Sequence, residues 1–78
     1  MDVTEYNILI SQIEASATRE FRNSKGVLRY GQCLFNAAHS LAPDAANEIR
    51  GTEDDPFYQD AKITKFFWKL EEILLDNK

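Results

Sequence analysis

The sequence has little of what stabilises secreted domains or anchors membrane proteins. It contains a single cysteine, Cys33, so no internal disulfide can form and a reduced thiol is expected. No apolar run exceeds three residues, whereas a membrane-spanning helix needs roughly 20. The first residues, Met1 to Glu5, lack the basic and apolar regions of a secretory signal. These absences predict a cytoplasmic protein without a membrane span.

Positive charge is also scarce, since nine lysines and arginines against 13 acids give a net charge of −4. Proteins that bind nucleic acid neutralise its phosphates with clustered Lys and Arg, so direct nucleic-acid binding is not expected. Lys62, Lys65 and Lys69 form a small basic edge, but many acids lie near them in the sequence.

The sequence does show helical periodicity in its apolar residues. Its length of 78 residues suits a single domain over residues 1–78. A first helix is predicted over residues 4–22, with Thr4 as its N-cap. Its apolar face consists of Val3, Tyr6, Ile10, Ile13, Ala17 and Phe21. The turn-forming residues 23–26 lead to a second helix over residues 27–42, which Pro43 ends. Its apolar stripe consists of Val27, Tyr30, Leu34, Ala37, Ala38 and Leu41.

Pro43 suits the first turn of a short third helix, and Gly51 suits its C-terminal cap. Asp60 is expected to cap a last helix that continues to about residue 75. The apolar face of that helix consists of Ile63, Phe66, Phe67, Leu70, Ile73 and Leu74. Three longer helices and one short helix predict an all-α fold, arranged as a small antiparallel helical bundle. We expect one core that contains Ile13, Leu34, Phe67 and Leu70.

Some apolar residues fall outside these stripes. Leu28, Phe35 and His39 lie on nearly the opposite side of the second helix, which is typical of a helix that is central in a bundle or carries an interface. Trp68 and Leu75 form a separate stripe on the last helix. We expect a partner chain, such as a second copy in a homodimer, to bury these two sets of side chains.

The segment from Arg50 to Asp60 combines acids with turn formers and an aromatic pair. Its clustered acids are Glu53, Asp54, Asp55 and Asp60, whose spacing does not fit a calcium-binding loop. The prediction is a structural turn without metal, in which Thr52 and Asp55 act as caps and Pro56 fixes the backbone. Phe57 or Tyr58 is expected to tuck under the bundle.

No set of residues predicts catalysis or a cofactor site. Cys33 and His39 are six residues apart on one helix and therefore lie on different faces, so they do not form a nucleophile pair. Cys33 is predicted to be a small buried apolar residue, and His39 a surface or interface residue. We therefore expect no enzyme activity, no metal and no cofactor.

Aromatic and arginine side chains most often anchor protein interfaces, which makes an interaction surface the favoured interpretation. The candidate residues are Leu28, Arg29, Phe35, Arg50, Phe57, Tyr58, Trp68 and Leu75. The alternative is that the bundle wraps around most of these rings and buries them in its own core.

One further set of residues consists of Arg29-Tyr30-Gly31-Gln32, Asn36-Ala37, Pro43-Asp44 and the segment 49–60. In these residues the chain resembles a group of short bacteriophage and prophage open reading frames of undescribed function. The most specific part is Arg-Gly-Thr-Glu leading into Asp-Pro-Phe-Tyr. The resemblance implies a phage or prophage origin and expression inside a bacterial host, and it implies no activity.

These observations favour a small acidic accessory protein that binds a host or phage protein and inhibits or modulates it. One alternative is a nucleic-acid mimic, whose phosphate-like array would be Asp44, Glu48, Glu53, Asp54, Asp55 and Asp60. Another is a binder of a nucleotide or other small ligand at an oligomer interface lined by Arg29, Gln32, Asn36 and Tyr58.

Overall fold

The computed structural model describes residues 1–75, and these residues form an all-α fold without a strand. The helices are α1 (Val3–Ser24), α2 (Tyr30–Leu41), α3 (Pro43–Ile49) and α4 (Ile63–Leu74), with a 3₁₀ turn at Asp60–Lys62 before α4. Three longer helices and one short helix were predicted, and this is confirmed. The antiparallel arrangement stays a prediction. Among the described residues, no helix is long and apolar enough to cross a membrane.

The first helix begins at Val3, one residue earlier than predicted, because Asp2 rather than Thr4 is its N-cap. The Asp2 carboxylate accepts a hydrogen bond from the Glu5 backbone N–H at 2.8 Å, and the Glu5 carboxylate accepts one from the Asp2 N–H at 3.1 Å. This reciprocal capping box satisfies two N–H groups that have no partner within the helix. α1 ends where Lys25 adopts a left-handed conformation with φ 53°.

The second helix begins at Tyr30 rather than at residue 27. Ser24 is the reason, since its carbonyl accepts from the Val27 N–H and its hydroxyl accepts from the Leu28 N–H. These bonds hold the residues after α1 in turns and leave Val27 83% exposed. Val27 therefore does not belong to the apolar stripe of α2.

The core is one cluster to which every α-helix contributes, with α2 at its centre. Ile13, Leu34 and Leu70 are fully buried, as predicted, whereas Phe66 takes the buried position expected for the half-buried Phe67. The cluster comprises Leu9, Ile13, Ala17, Cys33, Leu34, Phe35, Ala37, Ala38, Ala45, Ala46, Ile49, Phe66 and Leu70. α2 is buried on two sides, so the central position is the one of its two predicted alternatives that the fold shows, and Phe35 lies in the protein's own core.

The predicted apolar faces fail mainly at helix ends. A helix of 22 residues such as α1 is about 33 Å long, whereas one of 12 residues such as α2 is about 18 Å long, so α1 extends beyond its neighbour. Val3 and Phe21, near the two ends of α1, are exposed, and so is Leu41 at the last position of α2. Leu9, which lay outside the predicted stripe, is buried instead.

Candidate functional site

A groove of about 460 Å³ lies between α2 and the segment that follows α3. We call residues 50–60 the acidic turn. Helix α2 lines the groove with Phe35, Asn36 and His39. The acidic turn lines it with Arg50, Gly51, Asp55, Phe57 and Tyr58. The groove therefore brings together four of the predicted interaction residues, which are Phe35, Arg50, Phe57 and Tyr58.

Phe35 forms the aromatic base of this groove. The His39 ring stacks beside it with a centroid distance of 6.3 Å, and Phe57 meets it edge-on at 5.9 Å. The Arg50 guanidinium lies 5.6 Å from the Phe35 ring centroid, within range of a cation–π contact. Phe35 is consequently only 3% exposed, and the prediction that a partner chain must bury it is wrong.

The acidic turn is held in shape by Asp55. One oxygen of its carboxylate accepts a hydrogen bond from the Gly51 N–H at 2.8 Å, and the other accepts from the Phe57 N–H at 2.9 Å. Gly51 follows α3 with φ 77°, a left-handed conformation that glycine adopts at little cost. The C-cap of α3 is Arg50, so the predicted cap at Gly51 is one residue too late, and Gly51 belongs to the turn that follows the helix. Asp55 thus closes the turn by accepting hydrogen bonds from backbone N–H groups that precede and follow it in the sequence.

Thr52 and Pro56 complete the turn in the roles that the sequence predicted. The Thr52 hydroxyl donates to the Ile49 carbonyl at 2.6 Å and accepts from the Asp54 N–H at 3.2 Å. Pro56 is fully buried, and the half-buried Phe57 packs against the core. Of the aromatic pair it is therefore Phe57 that tucks under the helices, and Tyr58 remains 76% exposed.

Two long-range hydrogen bonds fasten the acidic turn to the start of α2. Asp60 Oδ1 accepts from the Gly31 N–H at 2.8 Å, and Arg29 Nη2 donates to the Phe57 carbonyl at 2.7 Å. The first turn of α2 has no acidic residue, and Arg29 at its N-cap offers no side-chain acceptor, so Asp60 supplies one. The prediction that Asp60 caps the last helix is wrong, because it caps α2 instead.

Gly31 makes this attachment sterically feasible. A Cβ at this position would lie 2.8 Å from Asp60 Oδ1 and would also collide with the Pro56 carbonyl oxygen. No sequence pattern links residues 31 and 60. The one local signal is a glycine near the start of a helix whose first turn lacks an acid.

The remaining predicted interaction residues lie away from the groove or inside the protein. Trp68 is 66% exposed and sits with Asp54, Lys65, Lys69 and Glu72 around a separate surface pocket. Leu28 is half-buried and packs against the core, and Leu75 is also half-buried. The predicted surface is therefore not one continuous patch, and its second part is an isolated exposed tryptophan.

The groove contains rings, a guanidinium and an amide, which are groups for recognition. Asn36, which also donates to Glu20 at 3.1 Å, and His39 lie in it as well. Asn36 had been predicted only for the ligand-binding alternative, and His39 only as a surface or interface residue. Within residues 1–75 there is no group of three or more His, Cys, Asp or Glu side chains that could hold a metal ion. Burial, with the neighbouring charge of Glu20, raises the pKa of the Cys33 thiol to about 11, so it is a poor nucleophile at neutral pH.

Comparison with known protein families, with curated proteins and with solved structures gives no match to this chain.

Proposed function

We propose that this chain is a small phage-type accessory protein that acts by binding another protein, of the host or of the phage, at the groove between α2 and the acidic turn. The observation that carries the proposal is Tyr58. Its ring is 76% exposed at the edge of a groove whose base is aromatic. Tyrosine is among the residues that most often anchor interfaces, because it buries a large area with few rotatable bonds.

The acidic turn also supports binding, because it presents Tyr58 from a fixed backbone. Asp55, Arg29 and Asp60 each hold the turn by a hydrogen bond of 2.9 Å or less. A binding surface that is already ordered loses less conformational entropy when a partner docks. The groove is therefore better suited to recognition than an exposed ring on a mobile loop.

A pull-down from phage-infected bacterial lysate tests this function, with Tyr58→Ala as the altered bait. Val27→Ala is the matched control, because Val27 is equally exposed but lies at the turn between α1 and α2. We expect the wild-type and Val27→Ala chains to retain the same protein and Tyr58→Ala to lose most of it, with helical circular dichroism unchanged. Equal retention by all three baits would overturn the groove as the binding site.

A second candidate function is binding of a nucleotide or similar small ligand, and the size of the groove favours it. Pockets for such ligands commonly measure 300–1,000 Å³, and this groove measures about 460 Å³. It contains Asn36 and Tyr58, two of the four residues predicted for a ligand site, whereas Arg29 is bonded to the Phe57 carbonyl. A rise in melting temperature with a nucleotide, lost in Tyr58→Ala, would support this function over the first.

A further inference from the structure

We infer that the groove receives a basic segment of the partner protein, with an Arg or Lys side chain placed against the ring of Tyr58. This inference rests on the proposed function and adds the chemistry of the partner. It follows from the distribution of charge along the chain, from the contacts of the two arginines beside the groove and from the exposed ring itself.

The negative charge of the protein is concentrated in residues 44–60, and part of this segment, within residues 50–58, forms one wall of the groove. Residues 44–60 contain six acids and one arginine, a net charge of −5, whereas the rest of the sequence contains seven acids and eight Lys and Arg, a net charge of +1. The whole net charge of −4 therefore originates in α3 and the acidic turn. Segregated charge of one sign attracts a partner surface of the opposite sign and repels one of the same sign.

The two arginines beside the groove form no ion pair with these acids among the described residues. Arg29 donates to the Phe57 carbonyl, and Arg50 lies over Phe35. Glu48 and Glu53, which flank Arg50 in the sequence, are exposed and form no ion pair with a cation in the described part of the chain. Of the six acids in residues 44–60, only Asp55 lines the groove, beside Arg50. The attraction for a basic partner therefore comes from exposed acids outside the lining, such as Glu48 and Glu53.

Tyr58 provides the contact that a basic side chain would make. Its ring meets Phe57 at 4.9 Å with an interplanar angle of 67°, an edge-type contact, and the residue is largely exposed. A guanidinium or ammonium over such a ring is attracted by the negative charge of the ring face. Arg50 over Phe35 is the same contact made within the protein. The Tyr58 ring is thus free to make with a partner the cation–π contact that Phe35 makes with Arg50.

The test uses three synthetic peptides of equal length, built from Leu, Ser and Gly with Arg, Gln or Glu at the same positions. Each is titrated into the isotope-labelled chain and followed by NMR. We expect the Arg peptide to shift the signals of groove residues and to bind most tightly. Raising the salt concentration from about 0.05 M to about 0.5 M should weaken it, because screening shortens the reach of the carboxylates.

Variants separate the ring from the charge. Tyr58→Ala should weaken the Arg peptide about five-fold, whereas Tyr58→Phe, which keeps the ring, should bind normally. Glu53→Gln should weaken it about two-fold and reduce its salt dependence. Trp68→Ala removes an exposed ring outside the groove and should have no effect.

The outcomes distinguish this inference from the function on which it rests. If the Gln or Glu peptide binds in the groove as tightly as the Arg peptide, the basic partner is overturned while the groove stands as a binding site. If the Arg peptide shifts residues outside the groove, the inference is also overturned. Loss of both proposals requires, in addition, that Tyr58→Ala retains its partner in the pull-down.

Discussion

At the scale of single residues, Gly31 and Cys33 depend most on what surrounds them, and both lie buried in α2. Gly31 leaves room for the acidic turn, and Cys33 is a thiol enclosed by the core. The role of Gly31 does not follow from residue type, because glycine is usually unfavourable in a helix, whereas the burial of Cys33 was predicted. Each role leads to a measurable expectation.

Replacing Gly31 with alanine should destabilise the protein, although alanine ordinarily favours a helix by about 1 kcal/mol. The added Cβ would displace Asp60 and Pro56 from the start of α2. We expect a loss of about 1 to 3 kcal/mol in the free energy of unfolding. Chemical denaturation measures it, with Ser40→Ala at an exposed position of α2 as the control. A more stable Gly31→Ala chain would show that the turn is not fastened there.

Cys33 should make stability depend on pH in the alkaline range. Burial raises its pKa from 9.0 to about 11, so the folded state favours the neutral thiol. This contribution is complete below pH 9 and should be lost as the pH rises towards 11, by about 2 to 3 kcal/mol. Denaturation midpoints measured over this range test it against Cys33→Ala, whose midpoint should change less. Equal pH dependence of the two chains would assign the effect to other groups, such as Tyr6, whose pKa burial also raises.

At the scale of elements, the acidic turn is the part of the fold with the most side-chain to backbone hydrogen bonds relative to its length. Such bonds replace the regular pairing that a helix would give to the same backbone groups. The acids of the turn therefore differ in function. Asp55 and Asp60 are structural, whereas Glu53 is exposed.

We expect Asp55→Ala to cost about 1 to 3 kcal/mol, because the N–H groups of Gly51 and Phe57 lose a charged acceptor. Glu53→Ala, which removes an acid from the same turn, is the matched control and should change stability by less than about 0.5 kcal/mol. Thermal denaturation of both variants measures the two losses of stability. Equal effects would mean that the net charge of the turn, rather than its hydrogen bonds, controls stability.

The local features of this element could be predicted from the sequence, and its attachment could not. Gly51, Thr52 and Asp55 act on backbone within a few residues of themselves, which turn chemistry describes well. Asp60 acts on Gly31, which is 29 residues away, and no local rule selects that pairing. The helix starts were missed for a different reason, because the bonds that set them are local. Asp2 and Glu5 form a capping box that competes with a cap at Thr4, and Ser24 holds the residues before α2 in turns.

At the scale of the whole molecule, one core joins all four α-helices. The side of each helix that faces this core was the feature that the sequence predicted least well. Periodicity placed Ile13, Leu34 and Leu70 correctly because they lie where helices overlap. It assigned Phe35 to a surface because it assumed one buried face for each helix, whereas α2 has neighbours on two sides. The groove is formed by α2 and the acidic turn together, so only its individual residues could be predicted.

Leu70 offers a test of this core. It is fully buried, and Leu70→Ala should cost about 2 to 5 kcal/mol, which a chain of 78 residues can hardly tolerate. Chemical denaturation should show a large fall in the midpoint or loss of cooperative unfolding. Trp68→Ala is the control, because that larger side chain is mostly exposed and its removal should change stability little. An unchanged midpoint for Leu70→Ala would contradict the core.

The bond between Asp60 and Gly31 also has a consequence for hydrogen exchange. Amides in segments without regular structure usually exchange with solvent quickly, and so do those in the first turn of a helix. The Gly31 amide, however, is covered by the acidic turn, and the Phe57 amide is held by Asp55 beside the buried Pro56. Both hydrogen bonds are part-buried, and breaking the one at Gly31 separates the turn from α2. We therefore expect both amides to exchange at the slow rate of global unfolding, so that this irregular segment and α2 open as a single cooperative unit.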